Sequence, residues 1–261
     1  MDNAVILGLV QGIFEWLPLS SEGLVAAVHT LLYDSDLGEG IDFALWLHVG
    51  TAPAALVALR SEVLGLTREV FARPPRLSPV FRYLVYSTAV SAVIGFPLLL
   101  MLSDLSLAVG GGSMTVIAVA MLVTGAVQLR RRSEGVRQMD GVGAVDGVLA
   151  GVAQGLSVVP GLSRSGLTVA VLLGRRLDRR DALTLSFLMS VPASLGAALY
   201  AAVDSSFELT AETLVAAVVA FAAGIVMINL LLRLAARVNF AGFVFAVGLT
   251  MLAGSLWDLL R

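Results

Sequence analysis

Glu15, Glu22 and Arg164 are charged residues set in or beside short polar breaks in long apolar stretches, and the same breaks hold Ser20, Ser21, Ser163 and Ser165. A charged side chain at mid-bilayer costs about 2.5–3.5 kcal/mol on insertion scales, so it is normally paired, turned toward a polar cavity, or both. The plain reading is a Glu–Arg pair that only ties two segments together, which leaves the serines and neighbouring glycines unexplained. A chemical reading accounts for them. Pro18 should end one helix, and Ser20 and Ser21 then stand at the N-terminus of the next, where free backbone N–H groups and the positive end of the helix dipole attract anions. Ser163-Arg164-Ser165-Gly166 repeats the arrangement, and Arg164 adds a planar fork matched to phosphate oxygens. Two such termini and an arginine describe a phosphate or diphosphate pocket, with Ser20, Gly23, Ser163, Ser165 and Gly166 as its substrate-binding residues. Glu15 and Gln11, one turn apart on one helix face, could hold Mg2+ or Ca2+ bridging the phosphates. Glu22, beside the serines, is a further candidate metal ligand or general base.

Such a pocket needs elements that carry two distant breaks into a membrane interior. The chain has 261 residues, of which 58% are hydrophobic and 14% charged, with a mean hydropathy of +0.92. A soluble domain carries about 25% charged residues, so this chain lacks the charge to cover a water-facing surface. Its apolar residues fall into blocks of roughly 20, the length that crosses about 30 Å of hydrocarbon. Full spans are predicted at about 41–60, 81–103, 113–130, 182–203, 212–233 and 240–260. Two further apolar stretches, Ala4 to Leu32 and Val142 to Leu173, are interrupted by Pro18–Gly23 and Pro160–Gly166. Each half is too short to span, so both are predicted to be re-entrant helical hairpins. The N-terminal Met1-Asp2-Asn3 lacks the basic region of a signal peptide, and the first apolar stretch is expected to be retained. Cysteine is absent, which rules out disulfide and thiol chemistry.

The charges test this layout. The loop from Arg60 to Arg82, the run Arg130-Arg131-Arg132 with Arg137, and Arg175, Arg176, Arg179, Arg180, Arg233 and Arg237 fall on one side. Asp2, Asp34, Asp36, Glu39, Asp42, Asp104, Asp204, Glu208, Glu212 and Asp258 fall on the other, where Arg261 is the only basic residue. Positive charge marks the cytoplasmic face, so both termini are expected outside, with the first hairpin entering from outside and the second from the cytoplasm. A gapless shift of 143 residues lays Gln11–Gly23 on Gln154–Gly166 with Gln, Gly, Leu, Ser and Gly matched, and three spans follow each copy. An odd number of spans inverts the second copy. The expectation is therefore one all-α polytopic membrane domain, residues 1–261, with six transmembrane helices, two re-entrant hairpins and inverted pseudo-repeats 1–131 and 143–261 that meet near the midplane.

Gln11-x-x-x-Glu15 followed by Pro18-x-Ser20-Ser21-x-Gly23, then Pro160-Gly161-x-Ser163-Arg164-Ser165-Gly166 and Phe187-Leu188-x-x-Val191-Pro192, resembles the undecaprenyl-diphosphate phosphatase (BacA-type) family. The resemblance covers nearly the whole chain, including Phe43 to Gly50. It implies hydrolysis of a polyprenyl diphosphate carrier to the monophosphate and inorganic phosphate in lipid-carrier recycling, with Mg2+ or Ca2+, in the cell membrane. By the same implication Gln11 and Glu15 occupy the metal-binding positions, Ser21 is the nucleophile and Arg164 the phosphate clamp. One departure stands out: the family continues Ser-Ser-x-Gly-His, and here Leu24 holds the His position. His29 lies about 140° round a helix from position 24 and cannot substitute simply. His48, where the family tends to carry Gln or His, is a candidate base, with a structural hydrogen-bonding role as the alternative.

Nucleophilic Ser21 and metal-activated water both remain open as the attacking group, the missing His favouring water. The expected partners are a polyprenyl diphosphate and membrane lipids, with no nucleic acid, and the arrangement leaves room for a homodimer. A polyprenyl-phosphate transporter or flippase using the same pocket is the alternative function, since inverted repeats with broken helices also build secondary transporters. Elsewhere, Asn229 reads as interhelical glue, Asp146 as the mark of a half-helix N-terminus, and Trp16, Trp46 and Trp257 as packing or interfacial anchors.

Overall fold

The computed structural model describes residues 1–72, 77–109, 113–129, 135–203, 209–234 and 241–259. Arg130, Arg131, Arg132, Asp204, Glu208, Arg237 and Arg261, and the side chains of Asp104, Trp257 and Asp258, lie outside these residues. Among the described residues the fold is all helical, with no strand: α1 Asp2–Phe14, α2 Ser21–Tyr33, α3 Leu37–Ala58, α4 Arg60–Phe71, α5 Pro79–Val109, α6 Ser113–Leu129, α7 Ala144–Leu156, α8 Arg164–Gly174, α9 Arg179–Val203, α10 Ala211–Leu234 and α11 Ala241–Leu259. Four of these, α3, α5 up to Met101, α9 and α10, are long and apolar enough to cross a membrane. The four helices flanking the polar breaks, α1, α2, α7 and α8, have 13, 13, 13 and 11 residues, well short of the roughly 20 a crossing needs.

The arginine-bearing loop expected between Arg60 and Arg82 instead contains α4, a helix with no buried residue. Its charged composition hid an amphipathic period, and Val63 and Leu66 turn inward onto the core. Burial ranks the long helices. α3 and α9 bury most of their surface, while α5 and α10 bury far less, so the first pair forms the centre and the second the flanks. Asp36 starts α3 by accepting from the Glu39 N–H at 2.9 Å, a standard N-cap.

Small residues set how closely the short helices approach the flanks. α1 lies along α10 with Gly8 and Gly12 against Ala216 and Ala220; α7 lies along α5 with Gly147 and Gly151 against Tyr83 and Ser87. A Cβ on any of the four would drive into a facing backbone carbonyl, so glycine is what lets these backbones touch, as in other membrane helix pairs. α6 and α11 pack reciprocally: Gly125 of α6 faces the Phe245 ring of α11, and Gly248 of α11 faces Leu122 of α6.

Each short-helix pair is fastened at its base by a carboxylate. Glu212 accepts from the Met1 amine at 2.8 Å and from the Tyr33 hydroxyl at 3.1 Å, joining the start of α1 to the end of α2. Asp146 is at the N-terminus of α7 as expected, accepting from the Gly143 N–H at 2.9 Å, and it also binds Arg137 at 2.8 Å and Arg175 at 2.7 Å, closing α7 onto the end of α8. Asn229, read from sequence as interhelical glue, donates instead to Ile225 of its own helix at 2.7 Å. An amide can satisfy itself on the preceding turn as readily as across an interface.

Candidate active site

The two tips meet. α1 stops at Phe14 because Leu17 precedes a proline, and a residue before proline is steered away from helical geometry. Ser20 then caps α2, its hydroxyl accepting from the Gly23 N–H at 3.3 Å. The second tip is built alike: Ser163 caps α8 by accepting from the Gly166 N–H at 3.1 Å. Between Pro160 and that cap, Gly161 adopts φ +99°, open to glycine and strained for any side chain, and an added Cβ there would meet the backbone of Ile117. The tips also bind each other. Ser20 Oγ accepts from the Gly161 N–H at 3.0 Å, and the Ser165 hydroxyl donates to the Leu17 carbonyl at 2.5 Å.

This junction assembles five of the candidate residues around the carboxylate of a sixth, Glu15. Glu15, the C-cap of α1, keeps helical dihedrals and so stays on the face of Gln11, whose Nε2 donates to Glu15 Oε2 at 3.0 Å. The Ser21 hydroxyl donates to the same oxygen at 2.5 Å. Arg164, the first residue of α8, donates through Nη2 to Glu15 Oε1 at 2.6 Å. His48 arrives from α3. Its Nδ1 lies 3.0 Å from the Ala44 carbonyl, which can only accept, so Nδ1 carries a proton and Nε2 faces the acids, 3.5 Å from Glu15 Oε1 and 4.0 Å from Glu22 Oε1. Glu15 is 5% exposed and Gln11 fully buried. A carboxylate removed from water this far persists only when paired and hydrogen-bonded.

Two polar atoms in this cluster are left over: Arg164 Nη1 and Gln11 Oε1 are buried with no partner. Such atoms cost about 1–3 kcal/mol each; Arg164 lines a small cleft with Glu15, Ser20, Ser21, Glu22 and Ser157, and Gln11 donates its Nε2 to the Glu15 carboxylate on the cleft wall. Of the five residues expected to bind the anion, Ser20 alone lines that cleft; Ser163, Ser165, Gly23 and Gly166 lie outside it, their hydroxyls and amides engaged in caps and cross-tip bonds. Leu24 packs against the apolar cluster around Trp16 and Ile117. His29 is occupied elsewhere, against Ser35 at 2.7 Å and stacked on Tyr33.

The matching positions of the second tip are not equipped for the same chemistry. Gln154, which aligns with Gln11, donates to Ser91 Oγ and the Met189 carbonyl, and Val158 stands where Glu15 would be. The carboxylates therefore belong to one hairpin and the guanidinium to the other. Sequence reading missed one neighbour. Trp16 packs in the core as expected, but it also lies beneath Arg164, with the guanidinium carbon 5.7 Å from the ring centroid. Its place directly after Glu15 was the available signal. Trp46 is a packing residue, donating to the Thr213 carbonyl at 3.3 Å.

Among the described residues no group of three or more His, Asp or Glu side chains is arranged as a metal cage. The donors present are nonetheless hard oxygens: two carboxylates, Glu15 and Glu22, and the unpartnered Gln11 Oε1. That set fits Mg2+ or Ca2+, since Mg2+ in particular takes one or two carboxylates and completes its shell with water and substrate phosphates.

The family model described as bacitracin resistance protein BacA matches residues 4–252. A protein of Methanococcoides burtonii named undecaprenyl-diphosphatase is 40% identical over 256 residues, covering 95% of this chain and 96% of its own length. Proteins of the same name from Methanothrix thermoacetophila and Methanopyrus kandleri are 34% and 36% identical, covering 96% and 94% of this chain and 95% and 93% of their own.

Proposed function

The chain belongs to the bacitracin resistance protein BacA family, and from that premise we propose that it hydrolyses a polyprenyl diphosphate, undecaprenyl-like, to the monophosphate and inorganic phosphate. The observation that carries the reading is the Ser21–Glu15–Arg164 constellation, with a serine hydroxyl already donating to a buried carboxylate and an arginine holding an unpartnered donor beside it. Neither the relatives' names nor the residues of the cleft favour the transport alternative.

The chemistry follows from the distances. Arg164 holds the terminal phosphate, and its Nη1 gains the partner it lacks. Ser21 Oγ attacks the terminal phosphorus while its proton passes to Glu15 Oε2, 2.5 Å away. An Oγ–P bond forms, the bridging P–O bond breaks, and the polyprenyl monophosphate leaves with the electron pair. Glu15 gives the serine's proton to the departing monophosphate; its carboxylate then takes a proton from the attacking water and returns it to Ser21 Oγ as the Oγ–P bond breaks, which releases inorganic phosphate and restores the serine. His48, with Nδ1 donating to Ala44, turns Nε2 toward Glu15 Oε1, accepting from the carboxyl when Glu15 carries the proton and pairing with the carboxylate as the imidazolium. Glu15, Glu22 and Gln11 would hold Mg2+ or Ca2+, which supplies charge neutralisation on the phosphates. The test is phosphate release from a long-chain polyprenyl diphosphate by purified protein with each metal in turn, with Ser21→Ala as control. Release is expected, lowered about 10³-fold or more by the substitution; no release with either metal would overturn the reading.

The substrate's apolar chain requires the site to open within the bilayer. In the layout proposed, α3, α5, α6, α9, α10 and α11 cross, the pairs α1–α2 and α7–α8 dip in from opposite faces, and both termini lie outside. The short lengths of the paired helices, the arginine distribution and the like packing of α1 on α10 and α7 on α5 support it. With no native cysteine, a cysteine introduced at Ser35 should react with an impermeant maleimide on intact cells, and one at Gln138 only after permeabilisation. The reverse pattern would invert the orientation.

A further inference from the structure

Among the described residues Arg164 is the one arginine lining the cleft, and an arginine side chain loses about 2 kcal/mol of rotamer freedom when held in one place. Glu15 fixes a single corner of the guanidinium, through Nη2. The second constraint is the indole of Trp16, whose ring face lies 5.7 Å from the guanidinium carbon, inside the range of cation–π attraction. That indole is itself immobilised. It is 1% exposed, and Phe187 of α9 packs edge-on against it at 5.2 Å and 80°. On α10, a Cβ added to Gly224 would sit 3.2 Å from Trp16 Nε1 and 2.9 Å from Ala54 Cβ, so the missing side chain at 224 makes room for the ring. The indole N–H has no hydrogen-bond partner, so the ring is held by shape and by what lies on its face.

We propose that Trp16 is a positioning residue: its ring is the floor over which the Arg164 guanidinium is held, so that Nη1 is presented to the terminal phosphate of the substrate when Nη2 is already committed to Glu15. The proposal rests on the diphosphatase reading for its ligand. It separates the arginine's charge, which Glu15 neutralises at rest, from its orientation, which Trp16 supplies throughout.

The experiment compares Trp16→Phe, which keeps an aromatic face, with Trp16→Leu and Trp16→Met, which do not. Binding of inorganic pyrophosphate and of an uncharged long-chain polyprenol are measured calorimetrically on each purified protein, with its melting temperature and its KM and kcat. Trp16→Leu and Trp16→Met are expected to bind pyrophosphate about tenfold more weakly and to raise KM alike, with polyprenol binding unchanged; Trp16→Phe should stay within about threefold of the parent. A purely structural role for Trp16 predicts a lowered melting temperature in all three, with pyrophosphate affinity unchanged or falling in step with polyprenol affinity, and either result overturns the proposal. So does a failure of the parent protein to bind pyrophosphate. If the parent binds pyrophosphate with the expected Trp16 pattern but hydrolyses no diphosphate, the catalytic reading fails and the platform stands. Hydrolysis with pyrophosphate binding indifferent to Trp16 has the opposite meaning.

Discussion

Glu15→Gln should lower phosphate release by about 10³- to 10⁴-fold, the upper part of the range for loss of a general base, while leaving the shape of the cleft intact. Glutamine matches glutamate in size and can still accept a bond from Ser21, but it cannot take the serine's proton. The same carboxylate anchors Arg164 at 2.6 Å and faces His48, so the variant also leaves a largely buried guanidinium without its counter-charge. Breaking a buried pair by removing one partner costs about 3–5 kcal/mol, and a lower melting temperature should accompany the loss of activity. Rates are therefore compared per folded molecule, with calorimetric binding of pyrophosphate as the check on the site. A rate within tenfold of the parent would remove Glu15 from the proton path and leave Ser21 without a base among the groups that touch it.

The second large effect falls on Arg164. Arg164→Ala should reduce kcat/KM by about 10²- to 10³-fold, the scale on which single oriented donors to a developing oxyanion act. Arg164→Lys restores the charge without the fork and should recover only part of that loss, because a single ammonium lacks the rigid planar spread that places one nitrogen on Glu15 and another toward a phosphate. Full recovery by lysine would mean that charge alone matters and that the two-ended geometry at Glu15 and the cleft has no catalytic consequence. The comparison is made at several substrate concentrations, since a clamp that acts before the transition state changes KM with little change in kcat.

Much of this site is legible in the sequence because its signals are local. The spacing of Gln11 and Glu15 puts both on one turn, Pro18 stops a helix, and Ser20 and Ser163 stand three residues before a glycine whose N–H they cap. What the sequence hides comes from contacts between the hairpins. That Ser165 would donate to Leu17 rather than to an anion depends on the two tips interlocking, a distance of 148 residues along the chain. Trp16 gives no sign in isolation that an arginine from the other half lies on its face. The same limit explains Asn229, whose amide has a carbonyl within reach on its own helix, and α4, where charged residues masked a periodic apolar face. His48 was visible as an ionisable residue in a span, but only its hydrogen bond to Ala44 shows which nitrogen faces the acids.

The reciprocal fit of α6 and α11, in which a glycine on each helix meets a large side chain on the other, carries a consequence for ancestry. An interface that repeats its own contacts about a two-fold axis is what two copies of one shorter chain form when they insert in opposite orientations. Under the pseudo-repeat proposed above, a half-length ancestor would have built this molecule as an antiparallel pair, with the same tip present twice. Two identical tips must each carry every group. Once joined in a single chain they were free to differ, one keeping a carboxylate where the other has Val158, and one gaining a guanidinium where the other has Ser21. Unlike tips give the crevice between them an acid side and a basic side, which two identical tips would not.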